Sequence, residues 1–263
     1  MISMICVYNN QELLDSCLLS TLKGQSYPHE VILMDNSDGK YPSAAVALNQ
    51  GAKKALGDIL IFCHQDMKLE SFDTLGQVAI YFERLGDNII VGPAGKAREY
   101  PDSTITNMKH GVVKSYFAGR YSYKDYHESD TLDECLFAVK KKVYEKIQLD
   151  ESVCNGWHLY AVDYCLTLHS ALQTDVFIID IPAYHYSDAS SMNQTYYSTL
   201  VKVCKKHKRQ YETIYTTMGN LKTEDAFVSL YIQKIKSIIK KLYFSLTGKS
   251  LIIHKLDSPR VNI

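Results

Sequence analysis

Three short apolar runs near the start of the chain alternate with segments whose apolar residues recur at helical spacing. The runs cover residues 2–7, 30–35 and 58–63, and each is followed by polar residues. Between them, residues 11–23 and 43–56 repeat apolar positions three and four residues apart. Buried strands that alternate with helices predict an α/β fold with a doubly wound, mostly parallel sheet and helices on both faces.

The polar residues after these strands predict where a ligand binds. They are Tyr8-Asn9, Asp35-Asn36 and His64-Gln65-Asp66. In open α/β sheets, ligands bind outside the carboxyl ends of the strands. We therefore expect these three groups to border one binding site.

The alternation of strands and helices continues to about residue 210. Further strands are expected at 89–91, 135–139 and 176–181, and further helices at 71–86, 140–147, 160–172 and 196–209. Residues 95–131 are polar, rich in Tyr and irregular, and an excursion of this length in a compact domain is usually functional. The pattern predicts one domain over residues 1–210 and a tail over 211–263.

The tail contains one strongly amphipathic segment, residues 225–246. Its apolar side chains share one helical face, and its lysines lie on the other. Three arrangements fit this pattern: a helix packed on the domain, a dimerisation helix, or a helix lying in a membrane interface. The last of these predicts peripheral contact with the inner membrane face.

Composition excludes some classes of protein and indicates a compartment. Lys plus Arg and Asp plus Glu number 29 each, and this balance argues against a nucleic-acid partner. The seven cysteines are odd in number and form no C-x-x-C pair, so they are expected to be reduced core residues. Residues 1–7 are too short for a signal peptide or a membrane span. We expect a cytoplasmic protein.

Four segments in order resemble the motifs of family 2 glycosyltransferases. Residues 2–9 resemble the opening strand of that family, and residues 32–39 resemble its second strand and turn. Residues 49–58 resemble the helix before the metal-binding strand. Residues 59–66 resemble that strand, which in the family ends in a D-x-D metal motif. The residues Cys6-Val7-Tyr8-Asn9 together with His64-Gln65-Asp66 resemble the motifs of a bacterial subgroup of this family, which is often found in surface-polysaccharide gene clusters.

The resemblance implies a GT-A fold and a metal-dependent enzyme. Such an enzyme moves a sugar from a nucleotide-sugar, here expected to be a UDP-sugar, to an acceptor hydroxyl with inversion. It implies a nucleotide-binding half at 1–95, an acceptor-side half at 96–210, and Mn²⁺ or Mg²⁺ as cofactor. The acceptor would be a saccharide, a lipid-linked molecule or a protein-linked molecule.

The resemblance also carries over donor-side residues one by one. Asp66 is expected to be a metal ligand, and His185, after the strand at 176–181, a further ligand of the metal or diphosphate. His64 stands where many relatives have an aspartate, and it is a metal ligand, a diphosphate donor or a spacer. The nucleotide-binding candidates are Val7, Tyr8, Asn9, Asp35, Asn49 and Gln65.

On the acceptor side, an inverting transferase needs a general base, and Asp163 at the start of a helix is the candidate. The family's acidic pair is replaced here by Tyr160-Ala161. The candidates for contact with the donor or acceptor sugar are Asp133, Glu134, Trp157 and His158.

Two other functions remain open from the sequence. A sugar nucleotidyltransferase uses a similar sheet, but it normally has a Gly-rich basic loop where this chain has Tyr8-Asn9-Asn10-Gln11. A nucleotide-sugar-binding module without transfer activity is the second, because the D-x-D motif is incomplete. Structural interpretations also exist for single residues, such as turn capping for Asp35 and hydrogen bonding for His185.

Overall fold

The structure, a computed structural model, describes residues 1–112, 116–117, 123–187 and 194–226, together with Val228 and Ile239. In chain order, its strands are β1 (Ile2–Tyr8), β2 (His29–Asp35), β3 (Ile59–His64), β4 (Met67–Leu69), β5 (Ile89–Gly92), β6 (Ala94–Lys96), β7 (Ile105–Thr106), β8 (Lys109–His110), β9 (Tyr116–Phe117), β10 (Tyr126–Glu128), β11 (Thr131–Leu132), β12 (Leu136–Lys140), β13 (Asp175–Ile179), β14 (Ala183–His185), β15 (Thr213–Thr216) and β16 (Gly219–Lys222). The helices are α1 (Gln11–Leu14), α2 (Ser20–Leu22), α3 (Ala44–Ala52), α4 (Thr74–Leu85), α5 (Lys141–Tyr144), α6 (Tyr160–Leu172) and α7 (Gln194–His207). A π-helical turn, Asp15–Leu19, joins α1 to α2, and a 3-10 turn covers Thr223–Asp225.

The central sheet has seven strands in the order β10-β13-β5-β12-β3-β1-β2. β12 runs antiparallel to both of its neighbours, and β10 runs antiparallel to β13. The other five strands point the same way, since β1 pairs in parallel with β2 and β3, and β5 with β13. The mostly parallel sheet expected from the sequence is confirmed.

The core lies on both faces of this sheet. On one face, Ile5 packs with buried residues of α3 and α6, among them Leu48 and Tyr164. On the other face, Met4 packs with buried residues of the first helical segment and of α4, such as Leu18. Because both faces of the central strands are buried, their sequences are continuous apolar runs. All seven cysteines are free and buried, as predicted.

Strand register brings the polar strand ends together. Tyr8 on β1 lies opposite Asp35 on β2, and Val7 lies opposite His64 on β3. The carboxyl ends of β1, β2 and β3 therefore meet at one edge of the sheet. This is the edge at which α/β sheets bind ligands.

A smaller sheet, β4-β14-β8-β9, lies beyond this edge. β14 pairs on one side with β4, where His185 is opposite Met67, and on the other side with β8, where His185 is opposite His110. Met67 directly follows Asp66 in the chain, so this pairing holds His185 beside the turn that ends β3. This short strand pair brings together Asp66 and His185, which are about 120 residues apart in the sequence.

The ordered domain extends past the boundary expected at residue 210. β15 and β16 form a hairpin, and the backbone carbonyl of Tyr215 accepts a hydrogen bond from the Thr131 hydroxyl at 2.6 Å. Thr217, in the turn of the hairpin, donates to Asp133 at 2.7 Å. The hairpin is therefore part of the same packed unit as the central sheet.

Residues 95–131 contain short strands, whereas the sequence predicted an irregular segment. The described part of this segment contains β6 to β11, each only two or three residues long. Strands this short give no recognisable alternation. The amphipathic segment 225–246 lies outside the described residues, apart from a few single positions.

Within the described ranges, no helix has the length and apolar character required to cross a membrane.

Candidate active site

A cavity of about 640 Å³ opens at the carboxyl ends of β1 and β3. Strand ends, the loop before α6 and the turn of the β15–β16 hairpin all contribute to its wall. Its lining residues are Val7, Tyr8, Asn9, Asn36, His64, Gln65, Asp66, Ala94, Thr104, Thr106, Met108, His110, Leu132, Asp133, Glu134, Trp157, His158, Leu159, Val162, His185, Ser187, Tyr196, Thr216, Thr217 and Met218.

Three potential metal ligands converge in this cavity. His185 Nε2 lies 3.3 Å from Asp66 Oδ1, and His64 Nδ1 lies 3.9 Å from the same oxygen. One ligand atom from each residue lies within 4.8 Å of the others. The structure thus brings together residues of β3, the turn after it, and β14, as expected for Asp66 and His185.

Two atoms of this cluster, Asp66 Oδ1 and His185 Nε2, are buried. Apart from their 3.3 Å approach to each other, which does not have hydrogen-bond geometry, neither has a hydrogen-bond partner among the described residues. A buried polar atom that lacks a partner is costly, and native proteins usually satisfy it with a protein group, water or an ion. Both atoms are good ligands for a divalent cation, so the site fits a metal ion.

The protonation of the cluster follows from its burial and charges. Burial alone would raise the pKa of Asp66, but the neighbouring His185 and His64 outweigh it and hold that pKa below its usual value. Burial lowers the pKa of His64. For His185, burial also acts to lower the pKa, but Asp66 reverses it and the pKa is raised. Asp66 is therefore ionised and His64 neutral near pH 7, the forms that bind a metal.

Tyr160 at the start of α6 orients the His64 ring. Its hydroxyl lies 3.0 Å from His64 Nε2, and it also reaches the Glu134 carbonyl at 3.4 Å. With Nε2 occupied by this bond, Nδ1 is the ring atom that faces Asp66. Hydrogen bonds of this kind fix the ring orientation of metal-binding histidines.

The expected nucleotide side of the cavity contains Val7, Tyr8, Asn9 and Gln65. Gln65 connects two strand ends: its Oε1 accepts from the backbone N–H groups of Asn9 and Asn10 at 3.1 and 3.0 Å. Its Nε2 donates to Asn9 Oδ1 at 2.9 Å. These bonds hold the loop after β1 against the loop after β3.

Two of the expected nucleotide-binding residues lie elsewhere. Asp35 is exposed and does not line the cavity, because its carboxylate folds back onto the backbone and hydroxyl of Ser37. The next residue, Asn36, lines the cavity instead. Asn49 is a buried residue of α3, where its side chain donates to the Leu149 carbonyl at 3.0 Å and accepts a hydrogen bond from the Tyr144 hydroxyl.

Asp133 and Glu134 both line the cavity, on the loop before β12. Asp133 accepts hydrogen bonds from the Cys135 N–H at 3.0 Å and from the Thr217 hydroxyl. Burial acts to raise the pKa of Asp133, but His185 and these two donors outweigh it and keep the pKa below its usual value. Asp133 therefore adds a fixed negative charge near the His64–Asp66–His185 cluster.

Glu134 holds the loop that carries His158. One carboxylate oxygen of Glu134 accepts the backbone N–H of Leu159, and the other lies 3.6 Å from His158 Nδ1. Leu159 adopts a positive φ of 68°, an uncommon conformation for a branched side chain, so this backbone bond fixes the turn into α6. The His158 ring also contacts the Tyr196 ring edge to face, with centroids 5.7 Å apart.

The structure corrects the expectation for Asp163. Its side chain is buried, with the residue only 1% exposed, and it does not line the cavity. Its two oxygens lie 2.8 Å from Lys206 Nζ and 2.8 Å from His207 Nε2, both on α7. The start of α6 does border the cavity, but Asp163 points to the opposite side of that helix, into the contact with α7. It cannot reach an acceptor hydroxyl there.

Several lining residues were not found by sequence reasoning. His110 on β8 has its ring 5.0 Å from that of His185, and Tyr196 on α7 covers His158. Thr216, Thr217 and Met218 come from the hairpin beyond residue 210. His110 lies in a two-residue strand and the hairpin lies past the last recognised motif, so neither carried a local signal.

The charge of the cavity is one-sided. Asp66, Asp133 and Glu134 contribute carboxylates, whereas no Lys or Arg appears among its described lining residues. An anionic ligand such as a diphosphate would meet repulsion here unless a cation accompanied it. This charge pattern agrees with the partnerless ligand atoms in favouring a metal ion.

Comparison with known proteins supports the class of enzyme expected from the sequence, a glycosyltransferase. A family model described as a glycosyltransferase-like family matches residues 3–208. No curated protein sequence matches the chain.

Among solved structures, the fold is similar to the mannosyltransferase PcManGT from Pyrobaculum calidifontis, in complex with GDP-Man and Mn²⁺. That match has 14% identity and a TM-score of 0.53, and it covers 80% of this chain and 64% of the mannosyltransferase chain. The fold is also similar to S. aureus TarS in complex with UDP-GlcNAc, with 15% identity, a TM-score of 0.53, and coverage of 94% and 76%. At this identity the likeness concerns the fold. Because the family model spans most of the sequence, the chain belongs to the glycosyltransferase-like family of enzymes.

Proposed function

We propose that this protein is a metal-dependent glycosyltransferase that moves a sugar from a UDP-sugar to an acceptor hydroxyl, with inversion at the anomeric carbon. The observation that carries the proposal is the convergence of His64, Asp66 and His185 in a cavity at the carboxyl ends of the strands. Two of their ligand atoms have no other described partner. The structures of PcManGT and TarS, which bind GDP-Man and UDP-GlcNAc, support a nucleotide-sugar donor.

His64, Asp66 and His185 would hold one divalent ion, Mn²⁺ or Mg²⁺. When bound, the ion supplies charge to neutralise the diphosphate and to stabilise the leaving group. The chain's own contribution is to keep Asp66 ionised and His64 oriented by Tyr160. The absence of Lys and Arg from the described lining makes the ion the chief source of positive charge for the donor.

The nucleotide would occupy the part of the cavity formed by Val7, Tyr8, Asn9, Asn36 and Gln65. Carboxamide side chains both donate and accept, which suits the edge of a uracil ring and ribose hydroxyls. The hydrogen bonds of Gln65 to Asn9 and to the backbone after β1 hold this surface in place before the ligand arrives.

Because Asp163 is buried in an ion-pair network, the general base must come from another residue. We assign it to His158, whose Nδ1 faces the Glu134 carboxylate. A carboxylate beside one ring nitrogen holds the imidazole so that the other nitrogen can accept a proton, as in acyl-transfer triads. His158 Nε2 then takes the proton of the acceptor hydroxyl, and Glu134 acts as its positioning residue. Asp133 would then contact sugar hydroxyls, and Trp157 would stack on a sugar face.

The biological role is inferred from the residues that occupy the family motifs in this sequence. The resemblance to a bacterial subgroup favours synthesis of surface polysaccharide or another glycoconjugate in the cytoplasm, on a saccharide, lipid-linked or protein-linked acceptor. Peripheral membrane contact through 225–246 remains a prediction that lies outside the described residues.

A nucleotide-sugar-binding module without transfer activity is the main alternative. It is favoured by the replacement of the family's acidic pair by Tyr160-Ala161. A sugar nucleotidyltransferase is less compatible, because its phosphate loop is basic and no described lining residue is Lys or Arg. Release of UDP from a panel of UDP-sugars in the presence of candidate acceptors separates a transferase from both.

The first test is calorimetric titration of UDP into the protein with Mn²⁺ present. We expect saturable binding that is lost in Asp66→Ala, while Asp38→Ala, an exposed aspartate in the turn after β2, binds as the wild type does. Circular dichroism of both variants checks that the fold is intact. Unchanged UDP affinity in a folded Asp66→Ala protein would contradict the proposed site.

A further inference from the structure

The strand β2 forms one edge of the central sheet, and no described strand pairs with its outer side. It is seven residues long, His29–Asp35, and it contains no proline, glycine or lysine. Its register with β1 runs one-to-one along the whole strand, so it has no bulge. Natural proteins usually protect an exposed edge strand by keeping it very short or by adding lysine, proline or a bulge. β2 has none of these protections.

The strand at the opposite edge of the same sheet is protected. β10 has only three residues, Tyr126–Glu128. β2 instead exposes apolar side chains, since Val31 is 36% and Leu33 is 37% exposed. Both lie on the face away from α3, because Ile32 and Met34 are buried in the core on the α3 side. A long edge strand with exposed apolar side chains is the kind that pairs with another chain.

Hydrogen bonds at the two ends of β2 show which of its backbone groups point outward. The Ile2 N–H donates to the Pro28 carbonyl at 3.0 Å, and the Asn36 N–H donates to the Tyr8 carbonyl at 2.8 Å. Because bonding alternates along a parallel pair, the even-numbered residues of β2 direct their backbone groups to β1. The odd-numbered residues direct their N–H and C=O groups to the open edge: His29, Val31, Leu33 and Asp35.

The outward residues are complementary to a second copy of themselves. In an antiparallel pair centred on Ile32, Val31 of each copy lies opposite Leu33 of the other, and His29 lies opposite Asp35. Opposite residues with outward backbone groups exchange both of their N–H···O bonds. Apolar side chains then face apolar ones and basic side chains face acidic ones, and such cross-strand pairs are stabilising. Registers shifted to either side leave residues at a strand end unpaired and separate His29 from Asp35.

We infer that the protein forms a symmetric dimer in which the β2 strands of two copies pair antiparallel about Ile32, so that the central sheet continues from one copy into the other. Each copy uses the same surface, so the association closes at two copies. The register places His29 of the second copy opposite Asp35, the residue before Asn36, which lines the cavity. The contact therefore ends beside the cavity of each copy. It involves no residue of the metal cluster and does not depend on sugar transfer.

Sedimentation velocity of the full chain over a range of protein concentrations tests the dimer and its register. We expect the wild type to reach twice the chain mass of 29.9 kDa. Val31→Lys/Leu33→Lys places lysines opposite each other and should leave a monomer. Val31→Lys/Leu33→Glu places Lys opposite Glu and should form the dimer again at low salt. In a register that pairs residue 31 with itself, the same variant would bring two lysines together and remain a monomer.

The control is Tyr126→Lys, which adds a lysine to the other edge strand and should stay dimeric. Circular dichroism and urea denaturation check that every variant is folded. Four results would each overturn the inference: a wild type that stays monomeric at every concentration, an assembly larger than two copies, a dimer that persists in the Lys/Lys variant, and a folded Lys/Glu variant that stays monomeric. Loss of the dimer in Tyr126→Lys would do so as well, because it would assign the contact to β10.

Discussion

At the scale of single residues, the carboxylate of Glu134 has two separate contacts with the loop before α6. One oxygen of Glu134 accepts the Leu159 N–H and so fixes the turn into α6. The other faces His158 Nδ1, 3.6 Å away. The orientation of the imidazole and the shape of the loop thus depend on the same side chain.

The first residue-scale prediction concerns His158→Gln. Because the amide cannot accept the acceptor proton, we expect kcat for sugar transfer to fall by about 10² to 10⁴-fold. UDP affinity with Mn²⁺ should stay near the wild-type value, since a base acts on the chemical step. Steady-state release of UDP and a parallel calorimetric titration measure both quantities. A variant that loses UDP binding together with activity would place His158 on the donor side.

Glu134→Gln should have a graded effect, because a neutral amide still accepts the Leu159 N–H but no longer pairs with a protonated His158. We expect kcat to fall, because the imidazole is no longer held by a carboxylate. A carboxylate favours the protonated form of a neighbouring imidazole, so its loss should move the acid limb of the kcat profile to lower pH. An unshifted profile would leave Glu134 with a structural role alone.

Asp163, in contrast to Glu134, is an acidic residue at a family motif whose contacts are structural. It is buried against Lys206 and His207, and loss of one partner from a buried ion pair typically costs about 3–5 kcal/mol. We expect Asp163→Ala to lower the free energy of unfolding by an amount of that order, measured by urea denaturation. Asp38→Ala, at an exposed position, serves as the matched control and should change little. A stable Asp163→Ala protein with impaired kcat would restore the catalytic role.

At the scale of elements, α6 and α7 are joined through Lys206, which bonds Asp163 at 2.8 Å and Asp150 at 3.0 Å. Burial alone would raise the pKa of Asp150, but hydrogen bonds from Ser152 and Lys206 outweigh it and lower the pKa to about 2. A depressed folded-state pKa stabilises the fold above the unfolded pKa of about 3.9, and this contribution is lost as pH falls toward 2.

The element-scale prediction follows from that direction. Between about pH 5 and pH 2.5, the wild type should lose more unfolding free energy than Asp150→Asn, because the variant has no carboxylate to protonate. Urea denaturation at the two pH values measures the difference. Equal losses in both proteins would show that Asp150 contributes nothing to acid sensitivity.

The elements that the sequence predicts well are those with long, regular patterns. Helix 160–172 is expected and α6 covers the same residues, because its apolar positions repeat over more than three turns. The first three strands are likewise found, because each is a short, continuous apolar run. Both faces of β1 and β3 are buried, whereas β2 lies at the edge of the sheet and exposes Val31 and Leu33. β6 to β11 are too short for a pattern, and their pairing depends on distant strands.

The same limit applies to the candidate site. Asp66 and His185 are expected near each other because both follow sheet strands, and the structure brings them together. Asp163 is misjudged because a motif position does not tell which side of a helix its side chain occupies. Its partners Lys206 and His207 lie more than forty residues away, so no local pattern around Asp163 indicates them.

At the scale of the whole molecule, a divalent ion bound by His64, Asp66 and His185 should stabilise the fold, because ligand binding to the native state raises its unfolding free energy. At free Mn²⁺ about a hundredfold above its dissociation constant, the gain is about 2.7 kcal/mol. We expect a rise in Tm with Mn²⁺ that a chelator reverses and that Asp66→Ala lacks. A Tm rise of equal size in Asp66→Ala would assign the stabilisation to another site.

Trp157 has a practical consequence of its own. It is the single tryptophan of the chain, it lines the cavity, and it is 38% exposed. Its indole fluorescence therefore arises from one place, beside His158 and the expected sugar-binding surface. Occupation of the cavity should change the polarity around that ring and shift its emission. The unmodified protein thus contains its own optical reporter, with which donors and acceptors can be screened before any product is known.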